Sequence, residues 1–515
     1  MHELRIGLFD PGMTYLHRLG LAGLYMTLQS VQESEGRFGE LRFELTDVSV
    51  LMRWRNNGRE TFDKLFRTAF GINESSPEGL IDFAAHRKLG RGDLQRYEMH
   101  QAILGSFLQH NKQNKIPTGT SRKRLVASLE GKQVVMEYRP LVGPYAHSCA
   151  ANSLIDERGR LTKAVPIKNW LFPGAAERHS SLSGTEIQEN PERFMCLLFA
   201  PVASLYFRIS HKGRDGKIDG RQRTAICIPH VTNLKEYARC YTRYLRAPVQ
   251  MLVANGLGDA GLSALVLLRS DDSIQEPGIA GCTVIMMGEA KWSTQQQSRT
   301  GVLYLQDVKQ EVLASFESAL RCFPHTIVFK GPNEADQRAE YFFSTSLARG
   351  LIAENIASGR EWFAGFSQLM SSSELFEQVR YEKGGLAKMV QSSTDESAKK
   401  FIEAVHVAMR NRFGALAARA KQRGEKIRFD TEFERMRTGL MRAKNPQTLR
   451  SELADFFARG GVNTVLQKSW EQILTVFISR DWQRSRDLAL IALASYAGKE
   501  VEQRAEDEPE NNEEE

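Results

Sequence analysis

Several features that define common protein classes are scarce in this chain of 515 residues. Its cysteines lie singly, without a C-x-x-C pair or a Cys/His spacing suited to zinc, which excludes a disulfide scaffold and a zinc finger. They are Cys149, Cys196, Cys227, Cys240, Cys282 and Cys322. The longest strongly apolar run, 488–497, is too short to span a bilayer, and the first residues do not resemble a signal peptide. We therefore expect reduced thiols, a cytoplasmic location and no membrane partner.

Motifs of the common catalytic classes are also missing. The chain contains no G-x-x-x-x-G-K-[ST], G-x-S-x-G or H-E-x-x-H, and its histidines are scattered without metal-like spacing. The sequence therefore lacks the residues that helicases and metallohydrolases use for catalysis. We predict that the protein is not an enzyme and requires neither a cofactor nor a metal.

Two short patterns keep enzymatic alternatives open. Gly256, Gly258 and Gly261 form a G-x-G-x-x-G typical of a dinucleotide-dependent enzyme, but no acidic residue follows at the end of a second strand. Asp271 or Asp272 with Glu289-Ala290-Lys291 resembles the acid and E-x-K pattern of metal-dependent nucleases. A glycine turn before an ordinary helix is the competing interpretation of the first pattern, and chance occurrence is that of the second.

The length and the hydrophobic pattern predict an α+β protein of several domains, with a mixed α/β N-terminal and central region followed by a C-terminal all-α helical bundle. We expect an N-terminal part at 1–130, a central part at 131–370, a helical bundle at 371–500 and an acidic disordered tail at 501–515. In the first part, Leu4–Leu8 reads as a strand and Thr14–Val31 as a helix in which Gly20 and Gly23 permit close packing.

Capping patterns predict where the C-terminal helices begin and end. Phe401, Val405, Met409 and Phe413 repeat at four-residue spacing, and Thr431-x-x-Glu434 reads as a capping box. Asn445-Pro446 starts a helix that stops at Gly460-Gly461, and a further helix carries Val462, Leu466, Trp470, Ile473 and Phe477. A last helix begins at Asp481 and ends near Gly498. Short connections predict antiparallel packing.

Positive charge is present in excess but unevenly distributed. The formal net charge is +7, yet 501–515 carries eight acidic residues against Arg504 and has a net charge of −7, which leaves about +14 on the rest. The segment 391–500 alone carries about +7. A basic body of this kind indicates a polyanionic partner, because lysine and arginine displace counterions from phosphates.

Three basic segments and the helical region supply the candidate nucleic-acid-binding residues. The segment 53–59 combines guanidinium groups, amides and the Trp54 indole in a strand-to-helix loop, and 111–124 and 211–223 are loops rich in cations. The helical cations suggest one face that cradles a strand; a solvated surface is the competing interpretation in each case. The candidates are Arg53, Arg55, Asn56, Asn57, Arg59, Lys112, Lys115, Arg122, Lys123, Arg124, Lys212, Arg214, Lys217, Arg221, Arg223, Arg410, Arg412, Arg419, Lys421, Arg423, Lys426, Arg428, Arg442 and Lys444.

Three stretches resemble the large subunit of type I CRISPR surveillance complexes (Cascade), in the MYXAN subtype close to type I-B. They are LRIGLFDPGMTYLHRLGLAGLYMTL at 4–28, NWLFPGAAERH at 169–179 and RDWQRSRDLALIALAS at 480–495. The resemblance implies a role in antiviral defence beside guide RNA and target double-stranded DNA, together with the Cascade backbone and 5′-handle-binding subunits. It also implies inspection of the protospacer-adjacent motif (PAM), stabilisation of the R-loop and recruitment of a helicase-nuclease or a transposition module.

In systems that the chain resembles, a small subunit is also made from within the same gene. Glu382-Lys383-Gly384-Gly385 precedes Met389 by three residues, and Lys-Gly-Gly codons can spell a purine-rich ribosome-binding sequence. We therefore hypothesise an internal product that begins at Met389. A glycine turn before a helix is the alternative.

Overall fold

The computed structural model describes the chain in segments. These are residues 2–35, 38–55, 57–75, 77–89, 92–109, 111–114, 121–167, 170, 187–210, 223–269, 278–290, 293–330, 340–424 and 429–497. The acidic tail lies outside them. The described residues form two compact units, one containing those up to 309 together with 325–344, and the other containing 310–324 and 345–497. The first unit is mixed α/β and the second is helical, so the predicted fold class is confirmed.

The first unit begins with a small sheet and a long helix. Strands β1 (His2–Gly7), β2 (Arg42–Leu45) and β3 (Ser49–Trp54) form an antiparallel sheet in the order β1-β3-β2. Helix α1 (Tyr15–Glu35) follows β1, and α2 (Gly58–Ala69) follows β3. A Cβ atom at Gly20 or Gly23 would overlap the backbone of a helix at 191–203, which confirms that both glycines permit close packing.

A five-stranded sheet forms the centre of the first unit. Its strands are β10 (Leu205–Ile209), β11 (Arg223–Val231), β12 (Val253–Ala254), β13 (Ile279–Ala290) and β14 (Ser293–Gln306), in the order β12-β10-β11-β13-β14. Neighbours are antiparallel except for β10 and β12. Helices α1 and α8 (Leu257–Arg269) pack against it, α6 (Pro191–Ala203) packs against α1, and α7 (Leu234–Arg246) packs against α1 and α8. The strongly apolar stretches 194–199 and 265–268 lie within α6 and α8, where they are buried.

Short elements complete this unit. They are β4 (Phe70–Ile72), β5 (Ile81–Phe83), α3 (Asp93–Leu104), α4 (Asn111–Asn114), β6 (Lys123–Leu129), β7 (Lys132–Tyr138), α5 (Ala151–Leu154), β8 (Val165–Pro166), β9 (Gln188–Glu189), β15 (Thr326–Lys330) and β16 (Glu340–Ser344). The strands pair as antiparallel hairpins β4-β5, β6-β7, β8-β9 and β15-β16. An apolar cluster joins α3, the β6-β7 hairpin and the β15-β16 hairpin.

The second unit consists of packed helices. They are α9 (Gln310–Cys322), α10 (Leu347–Ala357), α11 (Ser373–Arg380), α12 (Lys383–Ser392), α13 (Glu396–Arg423), α14 (Phe429–Arg442), α15 (Pro446–Arg459), α16 (Thr464–Lys468), α17 (Trp470–Phe477) and α18 (Trp482–Ser495). Residues 487–495 of α18 are all buried, and the helix packs against α12, α13 and α14. No helix in the described segments has the length and apolar character needed to cross a membrane.

Most of the predicted boundaries in this unit are confirmed. The Asn445 side chain accepts a hydrogen bond from the Thr448 N–H at the start of α15, which ends at Arg459 before Gly460. Asp481 caps α18. The Phe401 to Phe413 repeat is buried in α13.

Two of the predicted helical features are wrong. Thr431 lies inside α14, which already includes Phe429, so it is not a helix cap. The helix predicted for 462–477 is divided into α16 and α17, and Val462 and Trp470 are exposed instead of buried.

Candidate nucleic-acid interface

The first basic segment links β3 to α2, as predicted, but most of its described polar side chains pair with other side chains of the protein. Arg53 lies between two carboxylates, 2.8 Å from Glu3 and 2.6 Å from Glu44. Arg59 donates a hydrogen bond of 3.0 Å from Nε to the Asn152 side chain, and Asn57 hydrogen-bonds to the Glu60 carboxylate. Arg55 is exposed, and Asn56 lies outside the described residues. Arg55 is therefore the cation of this segment most accessible to a phosphate.

The Trp54 indole is not available to stack a base, although the sequence places it in a candidate nucleic-acid-binding segment. Its side chain is 1% exposed and packs edge-on against Phe62. Its Nε1 donates a hydrogen bond to the Gly159 carbonyl at 3.4 Å. Alternation along β3 directs this residue into the core, although Arg55, the next residue, is exposed.

The second segment is more regular than predicted. Residues 111–114 form the short helix α4, which includes Lys112, and Lys123 and Arg124 begin strand β6; Lys115 lies outside the described residues. Lys123 pairs with the Glu78 carboxylate. Arg122 and Arg124 approach the Glu137 carboxylate at 3.7 and 3.6 Å. These carboxylates offset much of the positive charge at this end of the hairpin.

The third segment connects two antiparallel strands. Ile209 at the end of β10 pairs with Arg223 at the start of β11. Arg223 is half-buried on β11. The remaining candidates lie outside the described residues, and they are Lys212, Arg214, Lys217 and Arg221.

The cations of α13 do not lie on one face, so that prediction is wrong. At 3.6 residues per turn, Arg410 and Lys421 lie within about 20° of each other around the helix axis. Arg412, Arg419 and Arg423 lie on the opposite side. Lys426 and Arg428 fall outside the described residues, and Arg442 and Lys444 are exposed at the connection between α14 and α15.

The C-terminal end of α13 projects from the helical unit. The last buried residue of the helix is Phe413, and every residue from Gly414 to Gly424 is exposed or half-buried. Arg419, Lys421 and Arg423 are exposed there, and no carboxylate pairs with them among the described residues. Arg412, by contrast, lies on the buried part of the helix and pairs with Glu432 at 3.0 Å. We call Arg419, Lys421 and Arg423 the α13 tip.

A groove of about 490 Å³ in the helical unit does not suit a polyanion. It lies between α13, α14 and α15, and its charged lining is balanced between Arg412, Arg435, Arg442 and Arg459 and the acids Glu432, Glu434, Glu452 and Asp455. Several of these are paired, such as Arg459 with Asp455. The groove therefore presents no net positive field.

The glycine motif at 256–261 has a structural explanation. The chain does run from β12 through a turn into α8, as in a dinucleotide site, but the Asp259 carboxylate lies buried at the helix start. It accepts a hydrogen bond from the Asn255 N–H at 2.9 Å, where a pyrophosphate would otherwise be bound. A Cβ at Gly261 would overlap Leu305 and Val284, so this glycine permits packing of α8 on the sheet. These contacts disfavour a dinucleotide cofactor.

The nuclease-like pattern is only partly within the described residues. Glu289 lies near the end of β13, whereas Asp271, Asp272 and Lys291 fall outside. Within the described segments, no three His, Cys, Asp or Glu side chains are grouped so as to bind a metal.

Comparison with known proteins links both ends of the chain to one protein type. Residues 5–198 match the DevT N-terminal domain, and residues 390–515 match the DevT C-terminal domain. The chain is 28% identical to the CRISPR-associated protein Cas8a1/Csx13 of Myxococcus xanthus strain DK1622, over 96% of this chain and 89% of the relative.

Proposed function

We propose that this chain, whose similarity to Cas8a1/Csx13 supports a CRISPR effector large subunit, serves a type I-B-like Cascade complex. In this proposal it binds near the 5′ end of the guide RNA, inspects the PAM of double-stranded DNA and stabilises the R-loop. It then recruits a helicase-nuclease or a transposition module. The observation that carries the proposal is similarity along almost the whole chain, which makes shared architecture a better explanation than one shared domain.

The α13 tip, and within it the side shared by Arg419 and Arg423, best supports contact with a nucleic acid backbone. Its three cations extend beyond the buried part of the helix and have no carboxylate partner among the described residues. The intervening sequence supports this, because no acidic residue occurs between Glu403 and Glu425. A cation that has no protein carboxylate beside it is free to release counterions from phosphates.

The basic hairpin at 122–124 is a weaker candidate than the α13 tip. A phosphate that approaches Arg122 or Arg124 must compete with the Glu137 carboxylate, and one that approaches Lys123 must compete with Glu78. We therefore rank the α13 tip first.

We predict that Arg419→Ala, Lys421→Ala and Arg423→Ala together weaken binding of target DNA by the assembled complex at least about tenfold at low salt. The slope of log affinity against log salt should fall in magnitude by about two, because Arg419 and Arg423 share one side of α13 while Lys421 lies on the opposite side. Fluorescence anisotropy with labelled target duplex, repeated over a series of salt concentrations, measures both quantities.

The matched control removes the same charge from the same unit. In Lys399→Ala, Lys400→Ala and Arg459→Ala, each cation lost has a carboxylate partner within the protein, namely Glu396, Glu403 and Asp455. The control should keep the salt slope of the unmodified protein. Equal losses in the two triple variants would mean that the α13 tip acts only through net charge, and unchanged binding in the tip variant would remove it from the interface.

We further propose that the chain has no active site of its own. The buried Asp259 carboxylate supports this against a dinucleotide-dependent enzyme. The competing nuclease hypothesis requires that purified protein cut DNA with magnesium and lose this activity in Glu289→Ala.

An internal product that starts at Met389 would act as a small subunit of the complex. The match to the DevT C-terminal domain supports a separable segment, because it begins at residue 390. Gly385 also has a packing role in the full chain, since an added Cβ would come within 2.6 Å of the Phe323 ring; for Gly384 nothing lies within 4 Å. Met389 itself is buried within α12, so the product would begin inside this helix.

We predict that synonymous recoding of codons 382–385 abolishes a small product without changing the full-length protein. An antibody or tag at the C-terminus detects both products on one blot. Synonymous recoding of codons 373–376 is the control and should leave both products in place. A small product that persists after recoding of 382–385 would contradict internal initiation at Met389.

A further inference from the structure

The loop between β1 and α1 exposes two aromatic rings around one arginine. The Phe9 side chain is 59% exposed and that of Tyr15 is 38% exposed. The Arg18 guanidinium carbon lies 5.1 Å from the centroid of the Phe9 ring and 5.8 Å from that of Tyr15. The Tyr15 ring in turn stacks on His230 of β11, with centroids 3.5 Å apart. We call Phe9, Tyr15 and Arg18 the aromatic patch.

Arg18 carries the charge of this patch without a carboxylate beside it. Within the described part of the chain, no acidic side chain pairs with its guanidinium group. The nearby Asp10 carboxylate accepts a hydrogen bond of 2.6 Å from the Gly7 N–H, and Glu189 pairs with Arg193. Burial, and then the charge of Arg18, lower the pKa of His230 to about 4, so this ring is neutral at pH 7.

The loop that presents Phe9 is fixed by several contacts. Asp10 closes the turn onto Gly7, and Gly12 adopts a φ of 83°, a conformation that favours glycine. Arg193 of α6 donates a hydrogen bond to the Pro11 carbonyl at 3.4 Å. The exposure of Phe9 is therefore a feature of an ordered loop, so a ligand that binds there has little loop entropy to overcome.

We propose that the aromatic patch binds one nucleotide of single-stranded RNA, with the base stacked on Phe9 and the phosphate bound by Arg18. The inference rests on the proposed function and adds to it a specific site in the mixed α/β unit. A single strand fits better than a duplex, because paired bases are already stacked on each other and do not present a face to a protein ring.

A partner protein would cover such a patch differently. Exposed aromatic rings occur at protein interfaces too, but a partner protein would have to place carboxylate or carbonyl oxygens around the Arg18 guanidinium group that it buries. A nucleotide supplies both the flat apolar surface and the anion in one ligand. The combination of an exposed ring with a cation that has no carboxylate partner among the described residues therefore favours RNA.

The test measures binding of the full-length protein to a short fluorescein-labelled single-stranded oligoadenylate. Phe9→Ala should weaken binding about tenfold, because it removes one stacked base, and Phe9→Tyr should retain binding. Arg18→Gln should weaken binding and lower the salt slope by about one. The matched control is Tyr304→Ala in the same unit, which removes a ring that is 64% exposed and has no cation over it in the described residues; it should bind like the unmodified protein.

Two results would overturn the proposal. Unchanged oligoadenylate binding in both Phe9→Ala and Arg18→Gln would exclude a nucleotide at the patch. Normal RNA binding together with loss of copurifying complex subunits in Phe9→Ala would identify the patch as a protein interface instead. Neither result affects the test of the α13 tip. If the tip variants lose DNA binding as predicted, the proposed function stands even when the aromatic patch does not bind RNA. Phe9→Tyr keeps the test valid if Phe9→Ala proves unstable.

Discussion

Three buried histidines have pKa values that folding lowers. His100, His147 and His230 are each at most 3% exposed. Burial lowers the pKa of His100 to about 4 and that of His147 to about 3, and burial with the Arg18 charge lowers that of His230 to about 4. These rings are therefore neutral in the folded protein over the whole physiological range.

We predict that the protein loses stability as the pH falls from about 6.5 towards 4. In that window the unfolded chain binds protons at these histidines while the folded chain does not, so acidification favours unfolding. Each unit of pKa difference corresponds to about 1.4 kcal/mol in the free energy of unfolding. Urea unfolding at pH 7.5, 6 and 5 measures the effect.

The variant His147→Phe provides the control for this prediction. The replacement ring keeps the aromatic neighbours Phe70 and Trp170 but does not titrate. Its urea midpoint should depend less on pH than that of the unmodified protein. A midpoint that is the same at pH 7.5 and pH 5 in the unmodified protein would contradict the account.

The sequence identified cationic residues but not the partners that decide their availability. Arg53 pairs with Glu3, fifty residues away, and Arg412 pairs with Glu432 of the next helix. Such pairs depend on tertiary packing, so residue type alone does not distinguish Arg412 from Arg419. The aromatic patch was missed because only the structure shows that the Phe9 and Tyr15 rings are exposed and lie beside the same Arg18 guanidinium group.

At the scale of elements, local patterns predicted helices better than sheets. The Asn445-Pro446 start and the Asp481 cap are correct, because a capping side chain binds backbone N–H groups within a few residues. The Thr431-x-x-Glu434 pattern wrongly predicted a helix start, since the same residue types also occur inside a helix. The order β12-β10-β11-β13-β14 depends on pairing between distant segments and had no local pattern from which to predict it.

Helix α13 shows how an element's function depends on where its packing ends. The four-residue repeat of Phe401 to Phe413 is buried, and beyond it only small or polar residues and Leu416 occur up to Gly424. The end of the apolar repeat was visible in the sequence and indicates a projecting helix. Only the structure shows that the cations there lie away from any described carboxylate.

At the scale of the whole molecule, two buried charges tie the C-terminal helices to the preceding segment of the helical unit. The Asp487 carboxylate accepts hydrogen bonds from the Gly365 and Ser367 N–H groups at 2.7 and 3.0 Å. Arg437 donates to the Met370 carbonyl at 2.6 Å. A product that starts at Met389 lacks these partners. It must re-pair or expose the Asp487 carboxylate, because an unpaired buried charge costs several kcal/mol, whereas Arg437 keeps its ion pair with Glu434 at 2.7 Å.

The most direct test of the central claim, a CRISPR large subunit that binds guide RNA within its complex, is the RNA that copurifies with the protein. The chain, tagged and expressed from its own locus, should be purified under native conditions and its bound RNA sequenced. We predict strong enrichment of short RNAs that carry repeat-derived ends, relative to an equally basic tagged control protein. An RNA profile that matches the control would contradict the claim, whatever the isolated chain binds.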